Sequence, residues 1–157
     1  MELVSRSSLI KKEWRFKRVQ SILTREMPAE SESSPKKIRV LHVDDDPDIR
    51  LMISASLREF GYFVATAGSC TEALKLVQEV KFDLFILDVR LPDGSGVDLC
   101  REIRELQPNI PVLYYSAYAS DEEQEAALSV CGDAYLKKPV SMRKLEQTIT
   151  SLLERQS

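Results

Sequence analysis

Two hydrophobic rhythms alternate along the chain from about residue 37 onward. Short apolar runs at 38–43, 63–67, 82–87, 110–115 and 134–136 read as strands bounded by turn residues. Between them, apolar residues recur every three or four positions, the spacing of a helix with one buried face. The first predicted helix starts at Asp46-Pro47, a capping residue followed by proline at the first helical position. It turns Ile49, Ile53, Leu57 and Phe60 inward and stops at Gly61. The spacing predicts further helices over 71–80, with Ala73, Leu74 and Val77 inward, and over 97–106, ended before Pro108. Two more follow over 122–130, ended near Gly132, and over 142–153, with Leu145, Ile149 and Leu152 inward.

Five strands alternating with five helices predict an α/β fold with a parallel sheet covered on both faces. Right-handed crossovers leave few topologies. A flavodoxin-like (βα)5 three-layer sandwich, strand order 2-1-3-4-5, places the short second and fifth strands at the edges. Ligands of such open sheets bind at the carboxyl ends of the strands. The central strand, Phe82 to Leu87, ends on Asp88 and is followed at once by the Pro92-Asp93-Gly94 turn.

Composition narrows the class further. At 157 residues, 43% hydrophobic and 30% charged, the chain suits one domain with a tail. The apolar runs are too short to span a membrane, and the first residues lack the apolar stretch of a signal peptide, so a cytoplasmic protein is expected. Cys70, Cys100 and Cys131 are widely spaced and odd in number, and are expected as reduced thiols. The net charge of −3 is uneven. Residues 1–26 hold seven Lys/Arg against three Glu, so the remainder is acidic, which argues against direct DNA binding by the main domain. The basic stretch around Trp14 reads as a partner- or membrane-binding helix, as an idle extension, or as sequence ahead of a true start at Met27. Residues 28–36 are a polar linker. Residues 1–36 are thus expected as extension and linker, and 37–155 as the folded domain.

Candidate chemistry gathers at the strand ends. Asp44, Asp45 and Asp46 follow the first strand, which in this topology neighbours the third. Asp46 is explained as a helix-terminal acid favoured by the dipole. Asp44 and Asp45 fall beside Asp88, and carboxylates so close repel unless a cation joins them. A hard ion with oxygen ligands resolves this, and Mg²⁺ suits one or two carboxylates plus a phosphate. Ser116 ends the fourth strand, and Lys138 follows the fifth, just before Pro139. Carboxylate, metal, hydroxyl and ammonium around one point can hold a phosphoryl group, with Asp88 as nucleophile.

These residues occur in four motifs: Val-Asp-Asp-Asp-Pro at 43–47, Leu-Asp-Val-Arg-Leu-Pro-Asp-Gly-Ser-Gly at 87–96, Ser-Ala at 116–117 and Tyr-Leu-Lys-Lys-Pro at 135–139. In this order the chain resembles the receiver domain of two-component response regulators, over about Lys37 to Leu153. The resemblance implies Asp88 as phosphoacceptor, and Asp45, Asp44, Asp88 and the backbone carbonyl of Arg90 as the Mg²⁺ site. It implies Lys138 as the phosphoryl-binding lysine, Ser116 as the switch hydroxyl and Tyr135 as the aromatic switch. It also implies a cis bond before Pro139 and tuning of phosphoryl loss by Arg90 and Tyr118. Donors would be a histidine kinase or a histidine phosphotransfer protein. Output would pass through the surface of the fourth helix, fifth strand and last helix, to a protein partner or a homodimer.

Few residues follow the last helix, so a stand-alone receiver is expected, a self-modifying switch and not an enzyme with turnover. The rival is a metal-dependent phosphohydrolase of similar topology with Asp88 as nucleophile. Asp88-Val89-Arg90 offers no carboxylate two residues on, and no cap insertion is evident. A dinucleotide-binding domain is disfavoured because no glycine-rich loop follows the first strand.

Overall fold

A computed structural model of the chain describes residues 36–117 and 119–156. The basic extension and Tyr118 lie outside the described residues. The compact unit begins at Lys37. Its strands are β1 (Arg39–Val43), β2 (Phe63–Ala67), β3 (Leu84–Leu87), β4 (Val112–Ser116) and β5 (Ala134–Lys137). They form one parallel sheet in the order β2-β1-β3-β4-β5, as the pattern predicts.

The helices are α1 (Pro47–Glu59), α2 (Cys70–Glu79), α3 (Gly96–Leu106), α4 (Asp121–Val130) and α5 (Met142–Glu154). Successive side chains of a strand point to opposite faces. Leu84 and Ile86 therefore join Ile53, Leu57, Leu145 and Ile149 under α1 and α5. Phe85 and Leu87 join Ala73, Val77, Leu99, Ile103 and Ala127 under the other three helices. Burial on both faces explains why β3 is apolar without a break.

Helix starts follow their capping residues. Asp46 accepts from the amides of Asp48 and Ile49, and Ser69, Ser95 and Ser141 cap α2, α3 and α5. Ser120 and Glu123 form a reciprocal capping box on α4.

Four features depart from the sequence reading. Phe60 is half exposed, because α1 ends one residue earlier and Phe60 only caps it. The Asp88–Gly96 turn is a small antiparallel ribbon, Arg90–Leu91 against Gly94–Ser95. β4 starts at Val112 rather than at Ile110, since Pro111 has no amide to donate to the ladder. Cys100 and Cys131, expected as separate thiols, are joined as a disulfide with their Cα atoms 6.0 Å apart. Packing brings α3 beside the end of α4, a proximity that spacing along the chain does not reveal. Among the described residues no helix is long and apolar enough to cross a membrane.

Candidate functional site

The register of the sheet assembles the site. Val43 lies opposite both Ala67 and Leu87, and Ser116 lies opposite Lys137. Asp44, Asp88, Ser116 and Lys138 therefore sit at or just beyond the tips of adjacent strands. The ladder continues one step past them: the Asp88 amide donates to the Val43 carbonyl at 2.9 Å and the Lys138 amide to the Ser116 carbonyl at 3.0 Å.

Both carboxylate oxygens of Asp88 are engaged. Oδ1 accepts from Ser116 Oγ at 2.8 Å and from the Arg90 amide at 3.1 Å. Oδ2 accepts from Lys138 Nζ at 2.9 Å. The same ammonium donates to Asp44 Oδ2 at 2.5 Å and stands 5.2 Å from the centre of the Tyr115 ring, within cation–π range. Asp44 Oδ1 accepts from the Asp46 amide at 2.9 Å. Asp44 and Asp88 are buried, whereas Asp45 is exposed beside them. Each of the three carboxylates offers an oxygen within 4.8 Å of the others. The Lys138–Pro139 peptide bond is cis.

Burial pushes the Asp44 carboxyl above its ordinary value; the bonds from Lys138 and the Asp46 amide pull it back without cancelling the rise. Burial also pulls Lys138 down, but its bonds to Asp44 and Asp88 outweigh this and leave it raised. Lys138 is therefore a cation at neutral pH, and a cation held close favours the ionised form of buried Asp44.

Four residues were given no role at the site by the sequence reading. His42 is fully buried, with Nε2 3.8 Å from Asp44 Oδ2. Burial, then the charges of Lys138 and Arg50, lower its pKa to about 3, so it is a neutral imidazole beside Asp44 and not an ion-pair partner. Neither ring nitrogen has a hydrogen-bond partner among the described residues. Arg50 Nη1 donates to the Asp44 carbonyl at 2.6 Å and ties α1 to the tip of β1. A Cβ at Gly96 would collide with the Asp88 carbonyl, so only glycine lets α3 start against the backbone of Asp88. Asp93 ties the ribbon to α2. A lone histidine in an apolar strand beside an acidic run was the one available sign for His42.

Tyr135 on β5 is half-buried, its ring centre 6.0 Å from that of Tyr114. Its hydroxyl is covered and has no hydrogen-bond partner among the described residues. Burial raises its pKa, with the Ser116 hydroxyl pulling the other way, although the two hydroxyls do not meet as a hydrogen bond.

A doubly covered parallel sheet with carboxylates, hydroxyl and lysine at its strand tips defines a class, the flavodoxin-like α/β domain with an acidic pocket. Within that class the chain belongs to the response regulator receiver domain family, whose model matches residues 40–150. It is similar to a CheY-like receiver domain protein of Methanospirillum hungatei: 33% identity, TM-score 0.74, covering 77% of this chain and 97% of that one. It is similar to the response regulator TrrA of Thermotoga maritima, solved in complex with Mg(2+)-BeF: 32% identity, TM-score 0.67, covering 73% and 98%. The probable transcriptional regulatory protein TcrX of Mycobacterium tuberculosis is 36% identical over 118 residues, 75% of this chain and 50% of that protein. The chain spans about half or less of the curated relatives of this kind.

Proposed function

We propose that residues 37–155 of this chain form a cytoplasmic phosphoacceptor switch, a receiver domain modified on Asp88 by a histidine kinase or a histidine phosphotransfer protein. One observation carries the reading. Ser116 Oγ and Lys138 Nζ converge on the two oxygens of Asp88, at 2.8 and 2.9 Å, beside two further carboxylates.

The donor set fits a hard divalent ion, because three carboxylates offer oxygens within 4.8 Å of one another and burial of Asp44 calls for positive charge. Asp44, Asp45, Asp88 and the Arg90 carbonyl would hold Mg²⁺. When bound, the ion neutralises charge on the phosphoryl oxygens.

A carboxylate oxygen of Asp88 attacks phosphorus as the bond from phosphorus to the donor's imidazole nitrogen breaks, and that nitrogen keeps the electron pair. Lys138 holds the buried anion in place before the reaction and pairs with a phosphoryl oxygen after it. Ser116, now bonded to Asp88 Oδ1, transfers its hydrogen bond to a phosphoryl oxygen. That movement changes the space beside Tyr135, whose unpartnered hydroxyl is free to settle into it.

The signal is then a shift between two arrangements of the α4-β5-α5 face, read by a protein partner or a second copy. Taking such an equilibrium from 1:99 to 99:1 needs about 5.5 kcal/mol. A few charge-assisted bonds made in one state only are of that size.

Incubation with Mg²⁺ and acetyl phosphate tests the reading. Wild type should gain the mass of one phosphoryl group per chain and Asp88→Ala none, with Lys138→Ala strongly impaired. Equal labelling of Asp88→Ala, or catalytic turnover of the donor without a stable adduct, would remove it.

A further inference from the structure

Beyond Asp88 the chain makes the small ribbon, Arg90–Leu91 against Gly94–Ser95, with Pro92-Asp93 at its tip. The Asp93 carboxylate is exposed, yet it accepts three hydrogen bonds from the first turn of α2. They come from the Cys70 amide at 2.8 Å, the Thr71 amide at 2.9 Å and Thr71 Oγ1 at 2.7 Å. Bonds from the Thr71 amide and hydroxyl, then from the Cys70 amide, hold it well below the usual carboxylate range. At Gly94 the ribbon passes so close to α2 that an added Cβ would stand 3.2 Å from Cys70 Sγ.

Helix capping alone does not require this carboxylate. Ser69 already caps α2 through a bond from the Glu72 amide. What Asp93 adds is a tie over more than twenty residues of chain, between the tip of the ribbon and a second element. The base of the ribbon is tied as well, by the Arg90 amide on Asp88 Oδ1 and the Gly96 amide on the Val89 carbonyl. The segment that carries the Arg90 carbonyl is thus fixed at both ends.

We infer that Asp93 is a positioning residue for the metal site, holding the ribbon so that the Arg90 carbonyl is in place before Mg²⁺ arrives. The inference rests on the phosphoacceptor reading above. A ligand on an untethered loop must be ordered when the ion binds, and that cost appears as lost affinity. Partners that orient a metal ligand commonly matter by 10- to 100-fold in affinity.

The test is calorimetric titration of MgCl₂ into the full chain. Asp93→Ala should bind Mg²⁺ roughly tenfold or more weakly. At saturating Mg²⁺ its labelling by acetyl phosphate should recover to the wild-type level. Ser69→Ala weakens the same helix end without touching the ribbon, so it should lower the melting temperature and leave Mg²⁺ affinity unchanged. Asp93→Asn keeps one acceptor oxygen and should fall between wild type and Asp93→Ala, which preserves the test if the alanine variant does not fold. Wild-type affinity in both Asp93 variants, or an equal loss in Ser69→Ala, overturns the inference alone. Wild type that neither binds Mg²⁺ nor takes label removes the phosphoacceptor reading, and the inference with it.

Discussion

His42, the single histidine of the chain, shows what a residue's surroundings add to its identity. Its ordinary pKa of 6.5 is lowered to about 3 by burial first and by Lys138 and Arg50 next. The unfolded chain therefore takes up this proton below about pH 6.5, whereas the folded one does so only below about pH 3. Between those values the unfolded state binds more protons. His42 thus costs stability as pH falls, by at most about 1.4 kcal/mol per pH unit, and the loss is absent above the unfolded pKa. His42→Leu should flatten this part of the profile, measured as the difference in urea midpoint between variant and wild type across that window. It should also gain about 1 to 3 kcal/mol at neutral pH, because it removes two unpartnered ring nitrogens. A difference that does not change with pH would contradict the assignment. Asp88, Ser116 and Lys138 were legible as candidates because each ends an apolar run. His42 sits within one and reads as core.

At the scale of elements, Gln107 does what no sequence signal marked. It is buried at the end of α3, where Oε1 accepts from the Phe82 amide at 3.1 Å. Nε2 donates to the carbonyls of Val77 and Val80, both at 2.9 Å. One side chain thus joins the ends of α2 and α3 to the entry of β3. Gln107→Leu leaves two buried backbone groups and one part-buried one without this partner and should cost about 2 to 3 kcal/mol or more, read as a lower urea midpoint. Helices return antiparallel to the strands, so Gln107 lies at the opposite end of the strands from Asp88. Phosphoryl labelling of the folded variant should therefore be unchanged. The types and order of the five sheet strands and five helices were legible, because burial on one face and on two faces leaves different periodicities, whereas the short Arg90–Ser95 ribbon was read only as a turn. Boundaries slipped where chemistry other than periodicity decides them, as at Pro111 and at Phe60.

For the molecule as a whole, the Cys100–Cys131 bond ties α3 to the residue that ends α4. It closes a loop of 31 residues, and a crosslink of that span contributes about 3 to 4 kcal/mol in the chain-entropy account. Reductant should lower the melting temperature of wild type. Cys131→Ser should melt like reduced wild type and ignore reductant. Reductant-insensitive melting of wild type would show that the two sulfurs are not bonded in solution. The pairing is set by two helices on one face of the sheet and leaves no trace in residue spacing.

The order of strands and helices and the five-stranded parallel sheet were determined by local hydrophobic pattern, since each element must bury one stripe or two faces. The acidic triplet, Asp88, Ser116 and Lys138 were already placed at strand ends by that same pattern. Only the tertiary structure decided that Lys138 bridges Asp44 and Asp88, that Asp93 reaches α2, that His42 is neutral, and that two cysteines meet. Those facts depend on distances between segments far apart in the chain, and such distances are set by packing.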